Sequence, residues 1–457
     1  MPQLFFSLPS DFFISNNRLI YTNISLIIDI ESDHNFEKIN TVVLKKIGDD
    51  SIFFLDESNL SFIVNYCLSN KIKLICFDLK RLLKILLNNE INIRYDQLEY
   101  FVDCKIELYE KYNKEFELDS NSIHEVFKYS LKDDFKFFKD IIEEDSIPFN
   151  IIPANKIVKF CSDKIIFIEK IYNFLSKDKE IDHQYLDKTK LYWASLTYSK
   201  IENNKIRLID INKDLDKYFS GYKINEKREL FGKLDYKIAS TKTGRTSSSY
   251  HTSNKQSIQK NMISRFGKKN GKILFLDFVS FEMRNLLVFL GFKPPEDVYE
   301  EIILSTCNIY NRDEVKENII SWTYGSQNFN EIIINEFDKM YKVKSYLEKI
   351  KEKINNNEYI TFCNKKIIYE DTEDAKRKFI NGEMQNFSTN IFYDILKYLL
   401  NSFEEKKLLS CIVATKYDEI VIDLFKEEAS TIKDIFKNIN YSKTFFNKDI
   451  LIPAKIR

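Results

Sequence analysis

The chain has 457 residues, 44% hydrophobic and 30% charged, which is enough for roughly two to four domains around sizeable cores. Lys plus Arg total 69, as do Asp plus Glu, so the formal net charge is zero. That gives no overall basic signal for nucleic acid but leaves local basic surfaces open. The 7 cysteines are scattered and never spaced CxxC, which argues against a zinc ribbon or a disulfide framework and predicts buried thiols in a reducing compartment.

The start, MPQLFFSLPSDFF, lacks the basic and long apolar regions of a signal peptide. Strand-like alternation follows in RLIYTN, SLIIDIE, TVVLKKI and SIFFLD, then a helical period in LSFIVNYCL, a strand in KIKLICF and a helix in DLKRLLKILLNN. This α/β region is expected to reach about residue 180, with SKDKEIDHQ (176–184) as a linker. Residues 185–240 read as one or two helices and a short strand, KIRLIDI. TKTGRTSSSYHTSNKQS is a polar loop, KILFLDF a strand ending in Asp277, and FEMRNLLVFLG a helix. Helices dominate 297–355. A small hairpin, YITFCNKKIIYE, precedes the long helix DAKRKFINGEMQNFSTNIFYDILKYLLNSF. Two apolar runs, CIVAT and IVIDLF, flank a polar tip at Tyr417-Asp418-Glu419, the pattern of a hairpin with acids at its turn. No run approaches ~18 uninterrupted apolar residues, so no membrane-spanning helix is expected.

Asp277 and Asp418 each stand at the edge of an apolar strand, and two carboxylates delivered to one edge are what a two-metal site needs. In NRDEVKENIISWTYGSQ, Arg312, Lys316, Ile320 and Tyr324 are spaced by four and share a slowly winding helix face. Its two cations suit a triphosphate and its ring a base. The same spacing also fits a solvated amphipathic helix, and a YDE tip also fits ordinary turn punctuation.

Five segments together resemble the family A DNA polymerases, the group of bacterial DNA polymerase I. Thr243-Gly244-Arg245 with Ser247-Ser248 resembles that family's TGR-x-SS loop. Asp277 through Arg284, DFVSFEMR, resembles its DYSQIELR motif at the Asp, Glu and Arg. Arg312-x3-Lys316-x7-Tyr324-Gly325 has its fingers-helix spacing, and Arg377-x3-Asn381-x3-Gln385 resembles its R-x3-N-x3-Q helix. Tyr417-Asp418-Glu419 resembles its HDE hairpin. The five occur in the family's order over about residues 240–425.

The resemblance implies an α/β multidomain chain: an RNase H-like exonuclease-type domain (1–180), a reduced thumb (185–240), a palm (241–285 and 371–457) and fingers (286–370). It implies template-directed extension of a primer 3′ end with dNTPs. Asp277 and Asp418, assisted by Glu419, would hold two Mg²⁺ ions, with Mn²⁺ as an alternative. Arg312 and Lys316 would bind the triphosphate, and Lys316 would also protonate the leaving group. Tyr324 would stack near the templating position, and Glu282 would sit against the sugar 2′ position. Arg245, Arg377, Asn381, Gln385 and Tyr417 would contact DNA. Primer-template DNA, dNTPs and a processivity helper protein are the expected partners, in replication or repair. The expected compartment is a cytoplasm, bacterial or that of a host cell.

The sequence departs from the family pattern at Ile320, where an aromatic ring is usual, and at Ser280, Tyr417 and Asn386 in place of Gln, His and Gly. Upstream, Asp29 and Glu31 lie two apart on one strand face, the D-x-E start of a 3′–5′ exonuclease. Leu82 stands where a metal-binding Asp is expected unless Asp78 serves instead. Asp163 fits the last acidic position, but Lys159 replaces its Tyr. This domain is therefore expected to be inactive and structural. Two other functions fit the same motifs: a single-subunit RNA polymerase, and a non-catalytic DNA-binding or assembly subunit on a polymerase fold. Glu282 and the Asp-Glu pair favour DNA synthesis over the first, and the retained acids and cations argue against the second.

Overall fold

The computed structural model describes residues 3–5, 25–32, 38–129, 131–139, 152–177, 186–204, 206–208, 223–224, 230–232, 236–248, 262–354, 358–369, 375–416, 418–440 and 450–456. They form two compact units, one of Met1–His183, Leu191–Asn203 and Ile238–Ser240, the other of Gln184–Lys190, Asn204–Lys237 and Thr241–Arg457. Most of the expected linker and of the stretch 205–235 lies outside the described residues. Among the described residues no helix is long and apolar enough to cross a membrane.

The first unit is built on a six-stranded sheet of β1 (Gln3–Phe5), β2 (Ser25–Ser32), β3 (Ile39–Lys46), β4 (Ser51–Leu55), β5 (Lys73–Cys76) and β6 (Phe101–Asp103). The strand order is β1-β4-β3-β2-β5-β6. β2, β3 and β4 pair antiparallel, whereas β2–β5, β5–β6 and β1–β4 are parallel. Parallel neighbours need crossovers, and the helices Leu60–Ser69 and Leu79–Asn88 lie in those connections. Helix Ala154–Lys177 packs across β2 and β3. All but the first residue of β2 are buried, so the strand is covered on both faces. Ile27, Val43, Ile75, Leu108, Phe160 and Ile165 belong to the core between them.

The second unit centres on an antiparallel sheet in the order β16-β17-β13-β18. Its strands are β13 (Gly271–Phe278), β16 (Cys411–Lys416), β17 (Glu419–Phe425) and β18 (Ala454–Ile456). The short strands β7 (Ile206–Leu208), β8 (Lys223–Ile224), β9 (Leu230–Gly232) and β12 (Met262–Ile263) make a second sheet. β10 (Tyr236–Lys237) pairs with β11 (Ser247–Ser248), and β14 (Glu358–Ile360) with β15 (Lys366–Ile368). The helices Phe281–Phe289, Val298–Ser305, Arg312–Thr323, Glu331–Tyr341 and Val343–Lys353 share a core with the long helix Ala375–Glu405. The expected burial of every cysteine fails at Cys307, which is exposed in a left-handed turn after Val298–Ser305, and at Cys411, which is only partly buried.

Candidate active site

β13 alternates as a half-buried strand should: Leu274, Leu276 and Phe278 are buried, while Ile273, Phe275 and Asp277 are partly exposed on the other face. Phe278 anchors the strand end against Phe281 and Phe392. Asp277 lies directly opposite Glu419 of β17 on one side and Lys455 of β18 on the other. Cross-strand partners share a face, so one sheet edge carries Asp277, Glu419 and Lys455. Asp418 occupies the tip before β17, and its carbonyl accepts the Phe278 N–H at 3.5 Å. Burial first, and then the charges of Asp277 and Glu282, push the Asp418 carboxyl up to about 6. Tyr417, between β16 and Asp418, lies outside the described residues.

Ser280 takes a left-handed conformation, φ 49°, and turns the chain from β13 into the helix that carries Glu282 in its first turn. The Tyr324 hydroxyl donates to Glu282 Oε2. Burial and the Glu282 charge raise the Tyr324 phenol far above its usual range. The charge of Arg245 acts on both Tyr324 and Asp418.

Helix Arg312–Thr323 buries Val315, Ile319 and Thr323, so its Arg312-Lys316-Ile320-Tyr324 row winds along the edge of that buried seam. Lys316 is exposed, and the other three are partly exposed. Arg312 is held by Asp297, whose Oδ2 accepts from Nε at 2.9 Å and Nη2 at 2.8 Å. Asp297 Oδ1 in turn accepts from Ser280 Oγ at 2.9 Å and from the Tyr299 N–H at 3.1 Å, capping helix Val298–Ser305. Burial works to raise the Asp297 pKa, but Arg312 and Ser280 hold it below the usual range.

On the long helix, Arg377 is exposed, and Asn381 and Gln385 are partly exposed at four-residue spacing. Among the described residues Asn381 Oδ1 is buried with no hydrogen-bond partner. The same helix suspends the loop around Arg245. Asn386 Nδ2 donates to the Thr243 carbonyl at 2.9 Å, and the Tyr393 hydroxyl donates to the Gly244 carbonyl at 2.7 Å.

In the first unit, Asp29 and Glu31 point to one face of β2, and Lys164 from helix Ala154–Lys177 meets both. Asp163 sits about 100° round that helix from Lys164, and its charge acts on the Tyr129 phenol. Asp78 caps helix Leu79–Asn88 by accepting from the Arg81 N–H and pairs with Lys105 at 3.1 Å, while Leu82 is buried.

No protein-family model matches the chain, and no curated protein sequence matches it. A solved structure does. The POL domain of Pol1 from M. smegmatis, in complex with DNA primer-template and dNTP, matches with a TM-score of 0.63. The match covers 95% of this chain and 95% of that one, at 11% identity. The chain has the fold of a Pol1 polymerase domain. The resemblance to family A polymerases read from the motifs holds at the level of fold.

Several residues of this polymerase fold were not singled out from the sequence. Asp297 carries a local signal as an Asp at the N-cap of helix Val298–Ser305, but its hold on Arg312 and the place of Lys455 opposite Asp277 come from contacts distant in the chain. Lys164 adjoins Asp163, but its partners Asp29 and Glu31 are distant in the chain. Asn386 was noted as a departure, yet it is the side chain that ties Thr243 to the long helix.

Among the described residues no group of three or more His, Cys, Asp or Glu side chains is spaced to hold an ion. Asp277 and Asp418 nevertheless suit a hard divalent cation in charge and donor chemistry. The raised pKa of Asp418 reflects burial first and then the charges of Asp277 and Glu282, and a bound cation would relieve both.

Proposed function

We propose that this chain is a family A-type, template-directed DNA polymerase that extends a primer 3′ end with dNTPs. The observation that supports the reading is the β13–β17 edge, where Asp277 lies opposite Glu419 and the charges of Asp277 and Glu282 act on Asp418, in a chain with the Pol1 polymerase-domain fold. In this reading residues 241–285 and 371–457 form the palm, 286–370 the fingers and 185–240 a reduced thumb. Residues 1–180 form an exonuclease-like domain without activity.

Asp277 and Asp418 would hold Mg²⁺, with Glu419 assisting and Mn²⁺ able to substitute. Metal held there would lower the pKa of the primer 3′-hydroxyl and offset the charge of the leaving pyrophosphate. Lys316 and Arg312 bind the triphosphate electrostatically, and Lys316 supplies a proton to the leaving group. Asp297 engages Nε and Nη2 of Arg312 and so fixes the guanidinium plane before a nucleotide arrives. Tyr324 stacks near the templating base while its hydroxyl steadies Glu282, which disfavours a ribose 2′-hydroxyl. Ile320 packs on the nucleotide without stacking. Arg245, Arg377, Asn381 and Gln385 contact primer, template or the minor-groove edge. Tyr417, which lies outside the described residues, would contact DNA at the primer terminus.

Primer extension on a defined template with Mg²⁺, comparing dNTPs with rNTPs, tests this. The protein should extend with dNTPs. Asp418→Ala should reduce extension about a thousandfold or more while leaving primer-template binding intact. Undiminished extension by that variant would refute the assignment, and preference for rNTPs would move it to an RNA polymerase.

A further inference from the structure

The first unit holds a carboxylate pair that the polymerase reading does not use. Asp29 and Glu31 are each 8% exposed at the centre of the sheet. Two buried carboxylates on one strand face repel strongly unless a cation meets them. Here the cation is part of the chain. Lys164, 1% exposed, places Nζ 2.6 Å from Glu31 Oε1 and 2.8 Å from Asp29 Oδ2. The Asp29 contact is an ion pair and not a directed hydrogen bond, since Oδ2 finds no well-angled donor. Arg81 completes the set from helix Leu79–Asn88, with Nη2 3.3 Å from Glu31 Oε2 and 3.4 Å from the Ile30 carbonyl. The rings of Phe135 and Phe160 lie 5.7 and 5.8 Å from the same ammonium and add cation–π attraction.

The charges balance: two carboxylates face one ammonium and one guanidinium, the same positive charge a single divalent ion would bring. The ammonium also occupies the space between Asp29 and Glu31 that such an ion would bridge. These residues therefore do not fit an exonuclease metal site as they stand. A tethered ammonium competes with free metal at a high effective concentration, so millimolar Mg²⁺ gains nothing by entering.

We propose that Lys164, supported by Arg81, is a built-in replacement for the divalent cation of this carboxylate pair. The first unit is thereby made metal-independent, and removing Lys164 uncovers a cation site. The proposal stands apart from the polymerase reading and fails or survives without it.

Two measurements on the full chain test it. Trp193 is the tryptophan of the first unit and Trp322 that of the second, so a Trp322→Phe background reports unfolding of the first unit by fluorescence. In EDTA, Glu31→Gln should lower that unfolding midpoint, because it strips Lys164 and Arg81 of their anion. In an open carboxylate pair the same change relieves repulsion, so a raised midpoint would overturn the proposal. Bound Mn²⁺ is then counted by electron paramagnetic resonance in an Asp277→Asn/Asp418→Asn background. No ion should bind the first unit while Lys164 is present. One should bind in Lys164→Met, and it should be lost when Glu31→Gln is added. An ion bound beside an intact Lys164 and released by Glu31→Gln would overturn the proposal, as would a folded Lys164→Met chain that binds none. If Lys164→Met does not fold, the Glu31→Gln midpoint and the Mn²⁺ count beside the intact lysine still decide.

Discussion

Asp103 is 2% exposed and accepts backbone N–H groups from Asp78, Leu79, Lys105 and Ile106. Those donors favour its charged form, yet burial, followed by the nearby charge of Asp78, outweighs them and pushes the carboxyl up to about 7. Its folded pKa thus lies above the ordinary value of 3.8, and the folded chain holds an extra proton between about pH 4 and 7. The contribution of Asp103 to stability is therefore present below that window and is lost as pH rises through it. Asp103→Asn should lower stability throughout, because its amide presents a donor where the Leu79 N–H needs an acceptor. It should also flatten the dependence of the denaturant midpoint on pH between 4 and 7 relative to the parent chain. An unchanged slope would show that Asp103 stays ionised across the window. Asp29 and Glu31 follow the other route to burying acid. Burial raises Asp29, whereas Lys164 and Arg81 override burial at Glu31 and hold it low. Neither solution is legible in the sequence, since Lys164 and Glu31 are 133 positions apart.

The helix Arg312–Thr323 shows what local pattern does reveal. Its row at four-residue spacing is legible in the sequence, and the helix stops just before Gly325. Gly325 has φ 85°, with its N–H donating to the Trp322 carbonyl and the Ser326 N–H to the Ser321 carbonyl, a Schellman closure. A side chain at 325 would be strained by that backbone, and its Cβ would stand 3.0 Å from Arg377 Cγ. Gly325→Ala should destabilise the chain by roughly 1–2 kcal/mol from the backbone alone, measured by denaturant unfolding. Gly291→Ala is the control, because Gly291 has φ +92° but open space around its Cβ position. The excess loss at 325 over 291 isolates the crowding against Arg377, and equal losses would show that Arg377 simply moves aside. Strands β2, β3, β4 and β5 were equally legible, being apolar runs bounded by polar breaks. The helix Ala429–Lys437 and strand β18 were not, although β18 brings Lys455 opposite Asp277. Strand pairing depends on a partner that a one-dimensional pattern does not contain.

At the scale of the molecule, a Pol1-like fold at 11% identity means that apolar pattern and volume, more than residue identity, specify these cores. In the polymerase reading, the formal net charge of zero means that nothing beyond local contacts would draw the chain to DNA phosphate. In the proposed reading the stretch from the helix around Glu202 to Arg245 is a reduced thumb, which would limit the surface that closes on duplex. Each phosphate neutralised adds about −0.9 to the slope of log affinity against log salt. A grip through about three phosphates would give a slope near −2.7. Affinity would then fall less than about a hundredfold between 50 and 200 mM salt, where a grip through six to ten contacts would lose about 10³–10⁵. The protein should therefore release primer-template readily. With excess unlabelled duplex as a trap added at the start of synthesis, it should yield only short products per encounter. Addition of a processivity partner should lengthen them without changing the rate of single-nucleotide incorporation. Long products in the presence of the trap, or a steep salt slope in a binding titration, would show that the compact chain encloses DNA without help.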